Sequence, residues 1–263
     1  MADTAVQWWH DRLQFSQVRT FCIFIGYQRS GHSLVGALLD AHPEAVIAHE
    51  LGALSLFSAG MRKRELYKRI LENERAFARG GASPRPGYEL SVPGAWQGRS
   101  TRLRVIGDKQ GGESTRVLAA ESDLVPRLER KLRVPVRVIH VVRNPYDNIA
   151  SIMRKPNNRR LHRISQRHFD TLRANARLRK RLGERVMDVR HEELVAAPRE
   201  QLTHLCRFLG LEPTPAYLES CSKVVFETPR RSRREVSWPP KLLAKVDKRI
   251  ARYDFLTGYS LDD

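Results

Sequence analysis

The sequence of 263 residues has few cysteines and no long apolar run. Its cysteines, Cys22, Cys206 and Cys221, are odd in number and lack metal-type spacing, which predicts free buried thiols in a reducing compartment. No apolar stretch approaches the roughly 20 residues of a membrane-spanning helix. Residues 1–17 lack the basic start, apolar stretch and cleavage site of a secretory signal. We therefore expect a cytoplasmic protein without a membrane span.

Acidic residues are scarce beside basic ones. The chain has 29 Asp and Glu against 47 Lys and Arg, which gives a formal net charge of +18. A field of this sign attracts polyanions, so we expect an anionic partner. No stacking surface of interleaved aromatic and basic residues is evident, and no zinc knuckle, RNP-like motif or basic zipper occurs. These absences disfavour nucleic acid, and a phosphorylated nucleotide or an acidic acceptor fits the positive charge equally well.

Short β-rich runs alternate with helical stretches, which predicts an α/β fold with a central parallel sheet flanked by helices. The predicted strands are residues 21–26, 103–107, 136–142 and 185–189. The predicted helices are residues 33–41, 114–132, 146–154, 159–182 and 241–253. Ligands of such sheets bind beyond the carboxyl ends of the strands. The length predicts a single domain over residues 1–263.

The turn after the first predicted strand is suited to a phosphate. Residues 27–33 read Tyr-Gln-Arg-Ser-Gly-His-Ser and lead into a helix, so backbone amides and the positive helix end face one point. Arg29 adds a planar cation, and the hydroxyls of Ser30 and Ser33 are further donors.

The same turn leaves two other functions open. Residues 26–33 also fit the Gly-x-x-x-x-Gly-x-Ser pattern of a nucleoside-triphosphate P-loop, with His32 where lysine stands in that motif. Asp108, at the end of the second predicted strand, would then bind magnesium. From the residues alone, a magnesium-dependent kinase and a noncatalytic protein that binds nucleic acid or another polyanion both remain alternatives.

Two segments, in this order, resemble the nucleotide-binding motifs of the sulfotransferase superfamily. Residues 29–34 (RSGHSL) are similar to its 5′-phosphosulfate loop, and residues 141–145 (VVRNP) with Ser151 are similar to its 3′-phosphate motif. Further similar segments are residues 189–195, 208–211 and 253–259.

This resemblance implies a P-loop-like three-layer fold and a nucleotide co-substrate. The implied sulfuryl donor is 3′-phosphoadenosine 5′-phosphosulfate (PAPS), the product is the corresponding bisphosphate (PAP), and no metal is expected. The implied acceptor is a hydroxyl of a glycan, a peptide tyrosine or a small alcohol. The donor-binding residues that it implies are Arg29, Ser30, Gly31, His32, Ser33, Leu34, Arg143, Ser151 and, from a basic loop, Arg230, Arg231 and Arg233.

Within the superfamily, residues 29–43 are similar to the tyrosylprotein sulfotransferases and their bacterial relatives. In that branch a glutamate acts as base and a lysine assists at the bridging oxygen. Glu50 and Lys109 stand at these positions, and with Arg29 they form the implied catalytic set. From the residues alone, a solvated acid at a helix start is the favoured interpretation of Glu50, and Lys109 is equally consistent with a neutralising partner of Asp108.

The resemblance has gaps. His32 stands where threonine is common and Asn144 where aspartate is usual, and residues 51–102 resemble no segment that we can name. Residues 79–102, rich in Gly, Pro, Ser and Arg, predict a long surface loop and a candidate gate over the acceptor site. Arg143 has a second possible role as an ion-pair partner of Asp147.

Overall fold

The computed structural model describes residues 13–80, 90–153, 161–226 and 228–263. Within them, five parallel strands form one sheet in the order β2-β3-β1-β4-β5. The strands are β1 Thr20–Gly26, β2 Ala45–His49, β3 Val105–Lys109, β4 Val136–Val142 and β5 Val186–Arg190. The helices are α1 His32–Asp40, α2 Ala53–Ser58, α3 Lys63–Arg79, α4 Gly111–Ala120, α5 Leu124–Leu132, α6 Pro145–Met153, α7 Leu161–Leu182, α8 His191–Ala196, α9 Pro198–Leu209, α10 Pro215–Ser222 and α11 Pro240–Ile250.

Strand β1 is central because both of its faces are apolar. Phe21, Ile23 and Ile25 pack on one side with side chains of α3, α5 and α7. Cys22 and Phe24 pack on the other side with α1, α9 and α10. A strand that is buried on both faces reads as a continuous apolar run, which explains why β1 is recognisable from the sequence.

The strand order brings four chain segments to one edge of the sheet. From β1 the chain moves outward to β2, returns to β3 beside β1, and then crosses to β4 on the far side. The carboxyl ends of β1, β2, β3 and β4 therefore open onto a shared edge, where ligands of doubly wound sheets bind.

The predicted fold class is confirmed, with two corrections to the elements. Strand β2 lies in a segment where no strand was predicted. Its five residues are too few to show a recognisable strand pattern in the sequence. The predicted helix 114–132 is wrong as one helix: α4 ends at Ala120 and α5 begins at Leu124. Pro126 lacks an N–H and its ring would clash with a carbonyl one turn earlier, so it is compatible only with the first turn of a new helix.

Other predictions shift or fall partly outside the described residues. The strand expected at 103–107 lies two residues later, and the one expected at 185–189 lies one residue later. The helices expected at 146–154 and 159–182 are α6 and α7, apart from residues 154–160. The long loop expected at 79–102 is described at 79–80 and 90–102, where the latter stretch contains no helix or strand.

The three cysteines are buried free thiols, as predicted. No helix in the described ranges combines the length and apolarity needed to cross a membrane.

Candidate functional site

A cavity of about 520 Å³ lies at the shared strand edge. The sequence-predicted residues in its lining are Arg29, Gly31, His32, Ser33, Leu34, Glu50, Lys109 and Arg143. Residues that were not predicted also line it: Tyr27, Gln28, His49, Leu90, Gln110, Gly111, Gly112, Glu113 and Thr171. Ligands of parallel sheets bind beyond the carboxyl ends of the strands, and this rule points to several of the residues that were not predicted. His49 ends β2, and Gln110 follows β3 directly.

The turn from β1 to α1 presents backbone amides to this cavity. Gly31 is the N-cap of α1 with φ of 103°, and it has no side chain to cap the first turn. A Cβ at this position would approach His191 Nδ1 to 2.6 Å, so glycine is required by space as well as by conformation. The N–H groups at the start of α1 have no side-chain cap, and such groups are suited to binding an anion.

Ser30 shapes this turn from the inside. Its Oγ donates to Tyr27 O at 2.6 Å and lies 2.9 Å from the side-chain amide of Asn148 on α6. The side chain is buried and absent from the cavity lining. Ser30 therefore contributes its position in the loop, and Ser33 supplies the hydroxyl that lines the cavity.

His32 is a packed neutral imidazole. Its Nε2 lies 3.2 Å from Ile25 O, so the proton sits on Nε2. A Cβ at Gly26 or Gly111 would approach the same nitrogen to 2.6 Å, which shows how closely the ring is wedged between these segments. Burial lowers the pKa of His32 to about 4, so this residue does not supply the cation of a nucleotide P-loop.

The two sequence motifs meet through Arg29 and Arg143. Arg29 Nε donates to Ser151 Oγ at 3.0 Å. Arg143 Nη1 donates to Arg29 O at 3.1 Å and its Nη2 to Arg230 O at 2.5 Å. Arg143 Nε is buried and has no hydrogen-bond partner among the described residues. A buried cation with an unsatisfied donor beside an uncapped helix start fits an anionic ligand.

Arg143 does not form the ion pair with Asp147 that was the alternative role. Asp147 instead pairs with Arg233 Nη1, and it accepts a hydrogen bond from Arg233 N at 2.9 Å. Arg233 Nε donates to Leu261 O at 2.7 Å, so this buried side chain anchors the basic loop and does not line the cavity. Arg230 and Arg231 are exposed on the same loop, and the Arg230 carbonyl contacts Arg143.

Lys109 lies at the centre of a polar cluster on the cavity wall. Its Nζ is 2.9 Å from Glu50 Oε1, 3.3 Å from His49 Nε2 and 3.4 Å from Ser33 Oγ. The lysine side chain is only 2% exposed, whereas that of Glu50 is 61% exposed. Glu50 has a left-handed backbone, with φ of 56°, at the end of β2.

Burial and charge act against each other in this cluster. Burial lowers the pKa of Lys109 although the contact with Glu50 opposes this. Burial acts to raise the pKa of Glu50, but the charge and hydrogen bond of Lys109 outweigh it and hold that pKa below its ordinary value. Burial, followed by the Lys109 charge, lowers the pKa of His49 to about 4. Glu50 is therefore a carboxylate and His49 a neutral imidazole near pH 7.

Asp108 makes no side-chain hydrogen bond or ion pair with the members of this cluster. Its carboxylate accepts hydrogen bonds from Leu51 N at 3.1 Å and Ala53 N at 2.7 Å, which joins β3 to the start of α2. Burial raises its pKa to about 6, against the lowering effect of these hydrogen bonds. Both oxygens are thus engaged with backbone away from the cavity, and the ion-pair partner of Lys109 is Glu50.

The remaining family-like segments support the turn after β4. Glu192 accepts from Asn144 N at 2.9 Å and from Tyr259 Oη at 2.5 Å. Asn144 Oδ1 accepts from Tyr146 N at 2.9 Å and so caps the start of α6, a task for which asparagine serves as well as aspartate. Arg190 lies 4.1 Å from the ring centroid of Tyr259.

Comparisons with known proteins agree with this architecture. Residues 135–215 match the model of the sulfotransferase family. The sulfotransferase domain of the olefin synthase from Synechococcus PCC 7002 has 21% sequence identity, covers 90% of this chain and 96% of its own length, and gives a TM-score of 0.52. The sulfotransferase domain from the curacin biosynthetic pathway has 16% identity, with 90% and 98% covered and a TM-score of 0.55. The chain has the sulfotransferase fold.

The resemblance to sulfotransferases is thereby confirmed in part of the sequence and in the fold. The matched segment begins just before β4 and includes Arg143 and Ser151. A mouse sulfotransferase complexed with PAP shows 13% identity, with 90% of this chain and 84% of that chain covered, and a TM-score of 0.48. No curated protein matches the chain significantly. Similarity to the tyrosylprotein branch stays a prediction.

Proposed function

We propose that the protein transfers a sulfuryl group from PAPS to an acceptor hydroxyl. The observation that carries this proposal is the convergence of Arg29, Arg143 and Lys109 with the uncapped start of α1, in one cavity beside the carboxylate of Glu50. The family match over residues 135–215 and the sulfotransferase fold support the same class of reaction.

The candidate donor-binding residues divide into two groups, and Ser151, Arg230 and Arg231 of the second group lie outside the cavity lining. The amides at the start of α1, with Ser33, would hold the 5′-phosphosulfate. Arg143 and Ser151, joined through Arg29, would hold the 3′-phosphate, and Arg230 and Arg231 would add charge from the neighbouring loop. Arg233 would act indirectly by fixing that loop on Asp147. When bound, PAPS supplies an activated sulfuryl group whose leaving group is a phosphate.

Glu50 and Lys109 would perform the proton transfer and the charge stabilisation. Glu50 would accept the proton of the acceptor hydroxyl, and Lys109 would stabilise negative charge on the leaving oxygen. Their contact keeps Glu50 a weak base, because the lysine charge lowers its pKa. Any movement of Lys109 Nζ away from Glu50 raises the pKa of Glu50, since burial alone favours its neutral form.

This arrangement specifies the acceptor only as a hydroxyl group, such as that of a glycan, a peptide tyrosine or a small alcohol. We further propose that one domain, residues 1–263, carries both donor and acceptor sites. The three buried free thiols support a cytoplasmic location, where thiols stay reduced.

The first test is calorimetric binding of PAP without magnesium, with magnesium-ATP as the competing ligand. Wild type, Arg143→Ala and Lys248→Ala are compared, the last being an exposed cation on α11 that matches the change in charge. We expect wild type and Lys248→Ala to bind PAP equally and Arg143→Ala to lose about tenfold or more in affinity. Absence of PAP binding, or a preference of wild type for magnesium-ATP, would overturn the proposal.

After donor binding is established, transfer from labelled PAPS to a panel of phenols, alcohols, tyrosine peptides and glycans identifies the acceptor class. A protein that binds PAP but labels no member of the panel would point to an acceptor outside these classes.

A further inference from the structure

A second cavity, of about 490 Å³, lies apart from the candidate active site. Its walls are the turn at residues 57–63 and the last turns of α5. Five of the residues that line it are basic: Arg62, Lys63, Arg127, Arg130 and Lys131. No carboxylate is part of this lining within the described residues. We call this cavity the basic groove.

Two of these cations are bonded within the protein, and one of the two is paired with carboxylates. Lys63 Nζ donates to Leu132 O at the carboxyl end of α5. Arg127 pairs with Glu121 at 3.2 Å and with Asp123 at 3.5 Å. These contacts hold the two walls of the basic groove in place. The other three cations of the lining face solvent, and we call them the outer cations.

The outer cations are Arg62, Arg130 and Lys131, and all three are exposed. In the part of the chain that the structure describes, no carboxylate lies within salt-bridge distance of any of them. Arg133 stands nearby, because its charge helps burial to lower the pKa of Lys63. Like charges held together without counter-charges repel one another, so an anion placed between them is favourable.

The floor of the basic groove is apolar. Phe57 is 8% exposed and Met61 is partly buried, and both line the cavity between the basic walls. A sulfated glycan or a phosphodiester backbone offers no large apolar side chain for such a floor. An acidic polypeptide segment with a large apolar side chain complements both the walls and the floor.

From this complementarity we propose that the basic groove is a docking site for an acidic polypeptide segment that carries an apolar anchor residue. The basic groove and the candidate active site lie at opposite ends of α2: Asp108 holds its first residues, and Phe57 and Ser58 end it. Six residues of helix span about 9 Å, so a docked segment lies close to the active site without entering it.

The test measures fluorescence anisotropy of a short labelled peptide of aspartate and glutamate with one central leucine, at near-physiological salt. The groove variant is Arg62→Glu/Arg130→Glu/Lys131→Glu. The matched control is Lys241→Glu/Lys245→Glu/Lys248→Glu on α11, which changes the net charge equally at exposed positions. We expect the groove variant to lose about tenfold or more in affinity and the control less than about threefold.

A second peptide, with serine in place of the leucine, tests the apolar floor. It should bind wild type at least about threefold more weakly than the leucine peptide, and both peptides should bind the groove variant alike. Equal losses in the two triple variants would overturn the proposal, since they would show attraction by the overall field alone. Equal binding of the two peptides, or displacement by heparin or an oligonucleotide far below the peptide concentration, would overturn it in favour of a general polyanion surface.

Thermal melting of each variant establishes that it folds, and Arg62→Gln/Arg130→Gln/Lys131→Gln replaces the groove variant if charge reversal prevents folding. The neutral variant should still lose several-fold in affinity. Because the readout is peptide binding and not sulfuryl transfer, its result is independent of the function proposed above.

Discussion

Lys109 is a buried ammonium whose ion-pair partner is largely exposed. Its side chain is 2% exposed, and Glu50 Oε1 lies 2.9 Å away on a carboxylate that reaches into the cavity. Removing the partner of a buried charge is costly, because the remaining charge loses its compensation. A useful variant at Glu50 therefore keeps an oxygen acceptor for Lys109 and loses only the ability to take a proton.

Glu50→Gln meets this requirement. We expect PAP affinity to stay within about threefold of wild type and transfer from PAPS to fall by about 10²–10⁴-fold, the usual contribution of a positioned base. Calorimetry measures the first quantity and release of labelled product the second.

The matched control is Glu113→Gln, at the other carboxylate of the cavity lining. Glu113 is occupied by hydrogen bonds from Ser55 at 2.7 Å and Gln110 at 2.7 Å, so its amide variant should cost less than about tenfold in transfer. A larger loss in Glu113→Gln than in Glu50→Gln would move the role of base to Glu113.

The loop before α11 is held on α6 by a buried ion pair. The side chains of Arg233 and Asp147 are 3% and 1% exposed. Burial acts to raise the pKa of Asp147, while the hydrogen bond from Arg233 N opposes this. The anchor places Arg230 beside Arg143, so it links the order of one loop to the proposed 3′-phosphate site.

Arg233→Met should destabilise the protein by about 3 kcal/mol, because it strands the charge of Asp147. The double variant Arg233→Met/Asp147→Asn should recover part of this loss and bind PAP with nearly wild-type affinity. Urea denaturation and calorimetry measure the two effects. A stable double variant with much weaker PAP binding would instead show that Arg233 itself contacts the nucleotide.

The parallel pairing of β3 with β1 leaves no room for a side chain at Gly107. A Cβ there would lie 2.2 Å from Cys22 O. Gly107→Ala should therefore cost about 3 kcal/mol or more, at the upper end for overpacking. Gly112→Ala is the control, since its Cβ would meet nothing closer than Gly26 O at 3.8 Å, and we expect no loss of stability. Similar melting temperatures for the two variants would contradict this account.

The sheet also shows which parts of the site can be predicted from sequence. Arg143 follows the apolar strand β4 directly and Arg29 lies in the turn just after the apolar strand β1, so local pattern places both at the strand edge. His49 reaches the same edge only through β2, whose pairing with β3 spans about 60 residues of sequence. Five residues, Ala-Val-Ile-Ala-His, carry too little periodicity to predict that strand. The position of Glu113 depends on where α4 begins after β3, and the packing of the whole fold sets that point as well.

At the scale of the whole molecule, buried titratable groups set the response to pH. Burial lowers the pKa of His32 to about 4 and the pKa of His168 and His191 to about 3. As pH falls below about 6.5, these histidines become protonated in the unfolded chain but stay neutral in the folded protein. The free energy of unfolding therefore decreases as the pH is lowered. Burial raises the pKa of Asp40 and Glu74, and these carboxyls oppose that trend because they favour the folded state at lower pH.

His168→Phe tests the contribution of one buried histidine to this pH dependence of stability. Relative to wild type, the variant should gain about 2 kcal/mol in free energy of unfolding between pH 7.5 and pH 5, since each unit of pH below about 6.5 is worth about 1.4 kcal/mol for one such group. Urea denaturation at both pH values measures the change. His204→Phe, at an exposed position on α9, is the comparison. A gain of the same size at His204 would show that burial is not its cause.

The left-handed backbone at Arg29 and Glu50 has an evolutionary consequence. Their φ angles are 71° and 56°, in a region that costs a residue with a side chain about 1–2 kcal/mol. Glycine or asparagine at either position would relieve this strain. A laboratory selection for heat resistance alone should therefore enrich substitutions at these two positions and yield more stable proteins that lack the proposed transfer activity. Under the proposed function, activity and folding stability compete for the same two residues.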